Sequence, residues 1–158
     1  MSELKTQGTE LYVLDSTISP PAVLKIAKLT NIDGLGGSAS DIDITNFDST
    51  AKEYLVGLQD NGTANFGLNL DPQDSSHVWL KTNAGGNRFQ WAIGCSEDAG
   101  VPPTSPGGSV FVLGTSRTWF TFEASVQQAQ IAFATDDAVR VQGSLRVSGS
   151  ITMVPATT

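Results

Sequence analysis

Cysteine and histidine each occur only once in these 158 residues, as Cys95 and His77. One cysteine excludes an internal disulfide framework, and a single histidine and cysteine leave only carboxylates as metal ligands. We therefore expect no bound metal and no other cofactor. A cysteine–histidine catalytic pair would need the two residues in a recognisable motif, which the sequence lacks, so we interpret both as structural.

Long apolar runs are also missing. No stretch approaches the ~20 apolar residues that a membrane helix requires. We therefore expect no membrane-spanning helix and no membrane anchor formed by one. The first residues, MSELKTQGTELYVL, have neither the basic start nor the apolar run of a secretion signal. The resulting expectation is folding in a reducing cytoplasm.

Charged residues are scarce, at 16% of the chain, and positive ones are the scarcer kind. Nine Lys and Arg stand against 16 Asp and Glu, for a net charge of −7. Such a surface repels phosphate backbones and argues against a protein that grips nucleic acid, while it suits one that lies near DNA without holding it. The length favours a single domain with its own core, and the 16 glycines favour β structure.

Alternation typical of β-strands is the dominant pattern, and it is clearest at residues 138–153. At ~3.3 Å per residue this segment spans on the order of 50 Å, comparable to the ~40 Å diameter of a compact chain of this size. The strand must therefore bend between sheets or project beyond its own subunit. Further strands are predicted at 9–15, 22–34, 41–45, 63–70, 88–95 and, as one bent strand or two in succession, 109–134, with a glycine-rich hinge at 33–40 and an exposed loop at 96–108.

Two short helices are predicted between these strands. Thr50 and Glu53 form a capping-box pattern, which predicts a helix that ends near Gly57. The second helix is predicted over residues 72–83, with Asp71 as its N-cap and a proline at the first helical position.

Two chemical readings compete with a purely structural one. Asp41 and Asp43 share one strand face, and their spacing resembles that of a calcium-binding loop only loosely, so a solvated acidic face is favoured. A hydrolase that uses a pair of carboxylates is a further possibility that the sequence leaves open. A monomeric carbohydrate-binding β-sandwich is the alternative function. Its sugar platform would be Trp79, Trp91 and Trp119, but the spacing of the aromatics, with Phe89, Phe120 and Phe122, favours core packing.

Three segments carry a resemblance to a known family: GTELYV, KLTNIDGLGGSASDIDITNFDSTAKEYLVGLQDNG and FGLNLDPQDSSHVWL. Together they resemble the major tail tube proteins of bacteriophages with long, non-contractile tails. The resemblance implies a mainly β fold: a β-sandwich or partly open barrel of two antiparallel sheets with one flanking α-helix. It also implies a single tail-tube-like domain over residues 1–158 with no C-terminal immunoglobulin-like domain, and it transfers no catalytic residue.

The same resemblance implies a structural virion protein whose six copies form a ring. Rings stack into a hollow tail tube, made in the cytoplasm of the host bacterium, through which double-stranded DNA passes without specific binding. The chain's partners would be itself and the tape-measure and tail-terminator proteins. The long connection between two inner strands, residues 46–61, is the implied stacking loop between rings, with contacts from Phe47, Asp48, Lys52, Glu53, Tyr54, Leu55, Leu58 and Asp60.

Polar strand faces are the candidates for the tube lumen, because small hydroxyls, amides and carboxylates hydrate well and carboxylates repel phosphate. Arg140 and Arg146 share the face of the C-terminal serines, and we expect them to pair with Asp41, Asp43 or Glu123 unless that face lies elsewhere. The predicted lumen residues are Asp41, Asp43, Thr45, Thr63, Asn65, Asn69, Ser144, Ser148 and Ser150.

Overall fold

A computed structural model describes residues 3–108 and 110–157. A short 3-10 helix covers Ser96–Asp98. The other regular elements are, in chain order, β1 (Glu10–Asp15), β2 (Ala22–Ile26), β3 (Leu29–Asp33), β4 (Ser38–Asp43), β5 (Tyr54–Asp60), β6 (Thr63–Asn69), α1 (Ser75–Asn83), β7 (Arg88–Gly94), β8 (Trp119–Ala132) and β9 (Arg140–Val154).

Seven strands form one antiparallel sheet in the order β2-β1-β7-β8-β9-β6-β3, and β4 pairs with β5 in a second sheet. β2 and β3 lie at opposite edges of the larger sheet, yet only Ala27 and Lys28 separate them in the chain. Two residues reach only about 10 Å, so the sheet must curl until the end of β2 lies close to the start of β3. The prediction of a mainly β fold with two antiparallel sheets and one helix is confirmed.

The two longest strands bend where their registers slip. β8 and β9 pair over most of their lengths, and the register shifts between Thr121 and Glu123 and again between Val126 and Gln128. Such irregularities add local twist and bend the strand, which lets long strands wrap around a core. The predicted C-terminal strand is therefore present as one bent element, β9.

The core fills the inside of the curled sheet and is closed on one side by α1. Alternation directs Leu11 and Val13 of β1 and Leu68 of β6 into it, all three completely buried. Trp91 of β7 lies 5.9 Å from Trp79 of α1, ring centroid to ring centroid, and its indole N–H donates to the Ala124 carbonyl at 3.0 Å. The tryptophans thus join the helix to the sheet.

The helix begins three residues later than predicted. Asp74 is its N-cap, because the Asp74 carboxylate accepts the Ser76 amide at 2.9 Å. Asp71, the predicted cap, instead accepts the Gln73 amide and pairs with Lys28 at 3.0 Å. Asp71 and Asp74 both precede the helix at positions where an aspartate can act as the N-cap. The ion pair with Lys28 accounts for the position of Asp71, the one that does not cap.

Three predicted elements are wrong. Residues 22–34 are not one strand, because the turn at Ala27–Lys28 divides them between two sheet edges. The predicted helix from Thr50 to Gly57 is a loop followed by β5, whose pairing with β4 overrides the local capping pattern. Residues 110–118 form no strand beyond a single bridge from Val112 to Thr104, and β8 begins at Trp119.

A buried ion pair fastens the end of the sheet where the 95–118 connection crosses. Arg117 is completely buried, and its guanidinium donates to the Glu10 carboxylate at 2.9 Å, to the Cys95 carbonyl at 2.8 Å and to the Val101 carbonyl at 3.0 Å. It also lies 4.9 Å from the Trp119 ring. One side chain therefore ties β1, β7, β8 and the connection together.

Glu10 completes this cluster with two further partners, the ammonium of Lys25 at 2.5 Å and the amide of Gly100 at 2.7 Å. Burial alone would raise the pKa of Glu10. The hydrogen bonds from Lys25, Gly100 and Arg117 outweigh it and lower the pKa to about 2. The carboxylate is consequently charged at every ordinary pH.

Candidate assembly surfaces

The β4–β5 hairpin stands apart from the seven-stranded sheet. Every residue of β4 is exposed, and in β5 only Gly57 is partly covered. Residues 44–53 connect the two strands, and the connection is held by its own hydrogen bonds: the Ile44 amide donates to the Glu53 carbonyl at 3.0 Å, and the Glu53 amide donates to the Thr45 hydroxyl at 2.9 Å. The hairpin is ordered from within rather than by packing on the core.

One face of the hairpin is apolar and the other is mixed. Residues directly opposite each other in an antiparallel pair share a face, so Ile42 and Leu55 lie together on one side. On the other side, Asp41 lies opposite Val56 and Asp43 lies opposite Tyr54. Because one sheet face of a stable protein normally packs against something, an apolar face open to water indicates a contact surface.

The largest exposed apolar groups of the hairpin lie at its connection and along β5. Phe47 is fully exposed at 110% relative accessibility, and Leu58 follows at 91%. The predicted contact residues divide between these two parts: Phe47, Asp48, Lys52 and Glu53 lie in the connection, and Tyr54, Leu55, Leu58 and Asp60 lie on β5. Ile42, Ile44 and Val56 are also exposed here, and the alternation of Ile42 and Ile44 with polar residues was the available signal.

Residues 46–61 are not a loop between two neighbouring inner strands, as the sequence had suggested. β4 pairs with β5, whereas β6 pairs with β3 and β9 in the larger sheet. The long insertion before β6 is therefore half of an extra hairpin. Within it, Tyr54–Asp60 form a strand whose two faces are both largely exposed, which accounts for the mixed apolar and charged composition of that part.

The hairpin joins the body through a tight crossing. A Cβ at Gly37 would lie 1.8 Å from the Asp60 carbonyl oxygen, so only glycine fits there. Asn61 is buried and its side-chain amide donates to the Gly149 carbonyl of β9. The Arg146 guanidinium donates to the Asp60 carboxylate at 3.0 Å. These contacts fix the root of the hairpin to β9 and leave the rest free.

A second surface is the polar outer face of β3, β6, β9 and β8. Ala64, Phe66 and Leu68 of β6 point into the core, so the residues between them point outward. Cross-strand registers align these outward residues into rows across all four strands. The rows are Asn31, Gly67, Gln142 and Gln130, then Asp33, Asn65, Ser144 and Gln128.

The arginines of this face are each matched by a carboxylate. Arg140 pairs with Asp137 at 3.1 Å, Arg146 with Asp60 at 3.0 Å, and Arg88 with Glu123 at 3.6 Å. The expectation that Arg140 and Arg146 pair with Asp41, Asp43 or Glu123 is therefore wrong. Asp137 lies three residues from Arg140, and the fold brings Asp60 to β9 at the hairpin root, which sequence distance did not reveal.

Hydrogen bonds keep two of these carboxylates, those of Asp60 and Asp137, ionised. The Gly62 amide and then the Arg146 guanidinium lower the pKa of Asp60, and Arg140 followed by the Ala138 amide lowers that of Asp137. The paired charges therefore persist below neutral pH, and the face carries balanced rather than single-sign charge.

The family described as "Phage tail tube, TTP, lambda-like" matches residues 2–157 of the chain. The chain belongs to this phage tail tube family. It is also 31% identical, over 159 residues, to "Structural protein 3" of Pseudomonas phage PAJU2, a match that covers 98% of this chain and 96% of that protein. This tail tube protein is accordingly a structural component of a phage virion and not an enzyme.

Solved structures with the same fold include tail tube and injection-system proteins. The SPP1 tail tube protein superimposes with a TM-score of 0.66 at 9% identity, covering 99% of this chain and 81% of that one. The sheath/tube terminator of the extracellular contractile injection system PVC gives 0.68 at 12% identity, covering 98% of each chain. At such identities the likeness establishes the fold alone, and it agrees with the predicted tail-tube-like architecture.

The tail tube fold divides the predicted lumen residues between two surfaces. Asp41, Asp43 and Thr45 belong to the hairpin and not to the four-stranded polar face. Ser144 is only 5% exposed, because Asn65 and Gln128 lie on either side of it in the row. Those that lie along β6 and β9 on the polar face are Thr63, Asn65, Asn69, Ser144, Ser148 and Ser150.

The chemical alternatives gain no support from the described residues. Trp79, Trp91 and Trp119 are buried, so the favoured prediction of core packing is confirmed and the alternative of a sugar platform is wrong. His77 is also buried, accepting the Asp71 amide at Nδ1 at 2.9 Å while its Nε2 lies 2.7 Å from the Ala27 carbonyl, which places the proton on Nε2.

Cys95 is a buried thiol whose pKa is raised by burial and then by Glu97. Within residues 3–108 and 110–157, no cluster of three or more His, Cys, Asp or Glu is placed to hold a metal, and no helix has the length and apolarity to cross a membrane.

Proposed function

We propose that this chain is the repeating subunit of the tail tube, with six copies in each ring and rings stacked into a hollow conduit for double-stranded DNA. The observation that carries the proposal is the hairpin of β4 and β5, whose apolar side chains no other element of the subunit covers. We infer one tail-tube-like domain in which the hairpin is the contact to the next ring.

An isolated two-stranded hairpin is only marginally stable in water, so a hairpin with an apolar face gains from a surface to pack on. Apolar side chains at the centre of a contact supply most of its binding energy, and charged groups at the rim set its register. Phe47, Leu55 and Leu58 suit the first role. Asp48, Lys52 and Glu53 suit the second, and Tyr54 and Asp60 complete the proposed contact.

The polar outer face is the proposed lumen lining. Thr63, Asn65 and Ser148 offer hydroxyls and an amide that stay hydrated, whereas the Oδ1 atom of Asn69, also proposed for the lining, is buried. Each arginine nearby is held by a carboxylate. DNA binding depends on the release of counterions by free cations, so a charge-balanced surface lets the duplex slide. Asp41 and Asp43 would add negative charge, and Thr45 a hydroxyl, where the hairpin meets the bore.

Two open strand edges, those of β2 and β3, are available for lateral closure of the ring. An exposed edge invites pairing with another chain, and closed rotational symmetry uses that pairing without leaving a free end. Tape-measure and tail-terminator proteins are the further partners we propose, inside the tube and at its end. Assembly in the cytoplasm of the infected host follows from the same proposal.

The test is electron microscopy and sedimentation of the purified protein at increasing concentration. We expect rings or tubes of constant diameter from the wild type. The paired substitutions Phe47→Ser and Leu58→Ser should abolish them, whereas Ile18→Ser, which changes an exposed apolar residue of the body, should leave them intact. A protein that stays a 16.6 kDa monomer at all concentrations would contradict the proposal.

A further inference from the structure

An apolar groove of about 240 Å³ lies between α1 and the ends of β6, β8 and β9. Leu70 and Pro72 line one side, Val78 of the helix the second, and Ala129 and Ile131 of β8 the third. Val78 and Ile131 are half exposed, so the groove is open to solvent in the single subunit. Apolar clefts of this kind are the usual seats of apolar side chains from a partner.

One cation stands at the rim of this groove. The Lys81 side chain is exposed and its ammonium donates to the Ala129 carbonyl at 3.3 Å. The neighbouring carboxylates are already engaged, since Asp71 pairs with Lys28 at 3.0 Å and Asp74 caps the helix. Lys81 is therefore available to an acidic group that arrives from outside.

The groove and the hairpin lie at opposite ends of the same strand. The hairpin leaves the body beside Thr63, where β6 begins, and the groove opens beyond Asn69, where β6 ends. Seven residues of strand separate the two ends by about 20 Å. A contact between unlike ends of identical subunits is heterologous, and its repetition builds an open stack rather than a closed pair.

The tip of the hairpin matches this groove in both shape and charge. Phe47 is a fully exposed aromatic ring, and the exposed carboxylate of Asp48 follows it directly. A ring that enters the groove beside Val78 brings the following carboxylate to the rim where Lys81 lies. The groove is thus complementary to a segment that every copy of the chain carries.

We propose that this groove is the acceptor for the hairpin tip of a second copy of the chain, with Phe47 seated against Val78 and Ile131 and Asp48 paired with Lys81. The inference rests on the proposed function, and it names the surface of the next subunit that the hairpin binds.

A charge exchange tests the pairing. Asp48→Lys and Lys81→Asp each place like charges at the contact and should reduce the yield of sedimentable tube about tenfold or more. The double variant Asp48→Lys with Lys81→Asp should restore the yield to within about threefold of the wild type. As the matched control, Asp48→Lys with Lys52→Asp keeps the charge of the hairpin tip but not the pair, and it should not restore assembly.

Disulfide trapping provides a second readout that does not require tubes. Phe47→Cys combined with Val78→Cys should give dimers and longer covalent ladders on oxidation, while Phe47→Cys combined with Ile18→Cys should not. Cys95 is buried and does not compete.

These outcomes separate the two proposals. If the wild type forms tubes, but the charge exchange does not rescue assembly and no ladders appear, the acceptor groove is wrong and the proposed function still holds. If the Phe47→Cys, Val78→Cys variant gives ladders but the wild type forms no tubes, the acceptor groove is supported and the proposed tube is wrong. If neither ladders nor tubes form, both proposals are wrong.

Discussion

The seven-stranded body and the β4–β5 hairpin are built from the same kind of strand and use it in opposite ways. In the body, one side of each central strand packs into a continuous core, and a buried arginine is surrounded by acceptors. In the hairpin, side chains also alternate between two faces, with Ile42 and Leu55 on one and Val56 on the other, but both faces meet water. Alternation in the sequence shows which face of a strand each side chain lies on. It does not show whether that face packs on a core or is exposed to water.

This difference assigns separate physical tasks to the two regions. The core of the body is completed by the subunit's own residues, so substitutions there should be measured as changes in the free energy of unfolding. The hairpin adds little buried area to the single chain, so substitutions there should be measured as changes in association. A hairpin substitution that lowers the free energy of unfolding as much as a core substitution does would contradict this division.

The largest effect is expected from Arg117→Met. The change leaves the Glu10 carboxylate buried without its guanidinium partner and removes the donor to the carbonyls of Cys95 and Val101, at an expected cost of about 3–5 kcal/mol in unfolding free energy. Urea denaturation measures the loss. Arg88→Met, which removes an exposed pair with Glu123, is the control and should cost less than about 1 kcal/mol.

Acid should weaken the same cluster. The pKa of Glu10 is about 2 in the folded protein and 4.5 when unperturbed, so its contribution is present above pH 4.5 and is lost as the pH falls towards 2. The contribution is at most about 3 kcal/mol. Other carboxylates also titrate, so the measurement is the difference in unfolding free energy between wild type and Glu10→Gln. A difference that stays constant from pH 6 to pH 2 would contradict the assignment.

A smaller loss is expected from Gly143→Ala in β9. The added Cβ would lie 2.3 Å from the Phe66 ring and 2.9 Å from the Gln128 carbonyl oxygen, which forces the core to shift. Overpacking of this kind costs about 1–3 kcal/mol. Gly107→Ala, where a Cβ meets nothing within 4 Å, is the matched control, and equal stabilities of the two variants would show that the body is loosely packed.

The smallest change in stability is expected from Leu55→Thr in the hairpin. Leu55 is half exposed and threonine is a β-branched residue of the kind that strands favour, so the unfolding free energy should move by less than about 0.5 kcal/mol. Tube yield in a sedimentation assay should nevertheless fall. A loss of stability comparable to that of Gly143→Ala would mean that the hairpin belongs to the core after all.

Much of the fold was accessible from sequence, because strands such as β6 and β9 carry an unbroken alternation that only a half-buried strand explains. The division of residues 22–34 into two strands could not be predicted from sequence. Nothing local distinguishes one long strand from two short strands joined at Lys28, which has a positive φ of 58°. β5 was mistaken for a helix because Thr50 and Glu53 have capping spacing, while the pairing that decides the matter comes from β4. The contact of Arg117 with Glu10 spans more than 100 residues and left no local signal.

The order of strands in the sheet has a consequence for synthesis on the ribosome. β8 occupies the middle of the sheet and β9 lies beside it, yet both are translated after every other strand. The emerging polypeptide therefore holds two separate groups of strands, β2-β1-β7 and β3-β6, with no bridge between them until the last segment leaves the exit tunnel. Pairing of the two groups into one sheet is then a single late step that waits for the end of translation.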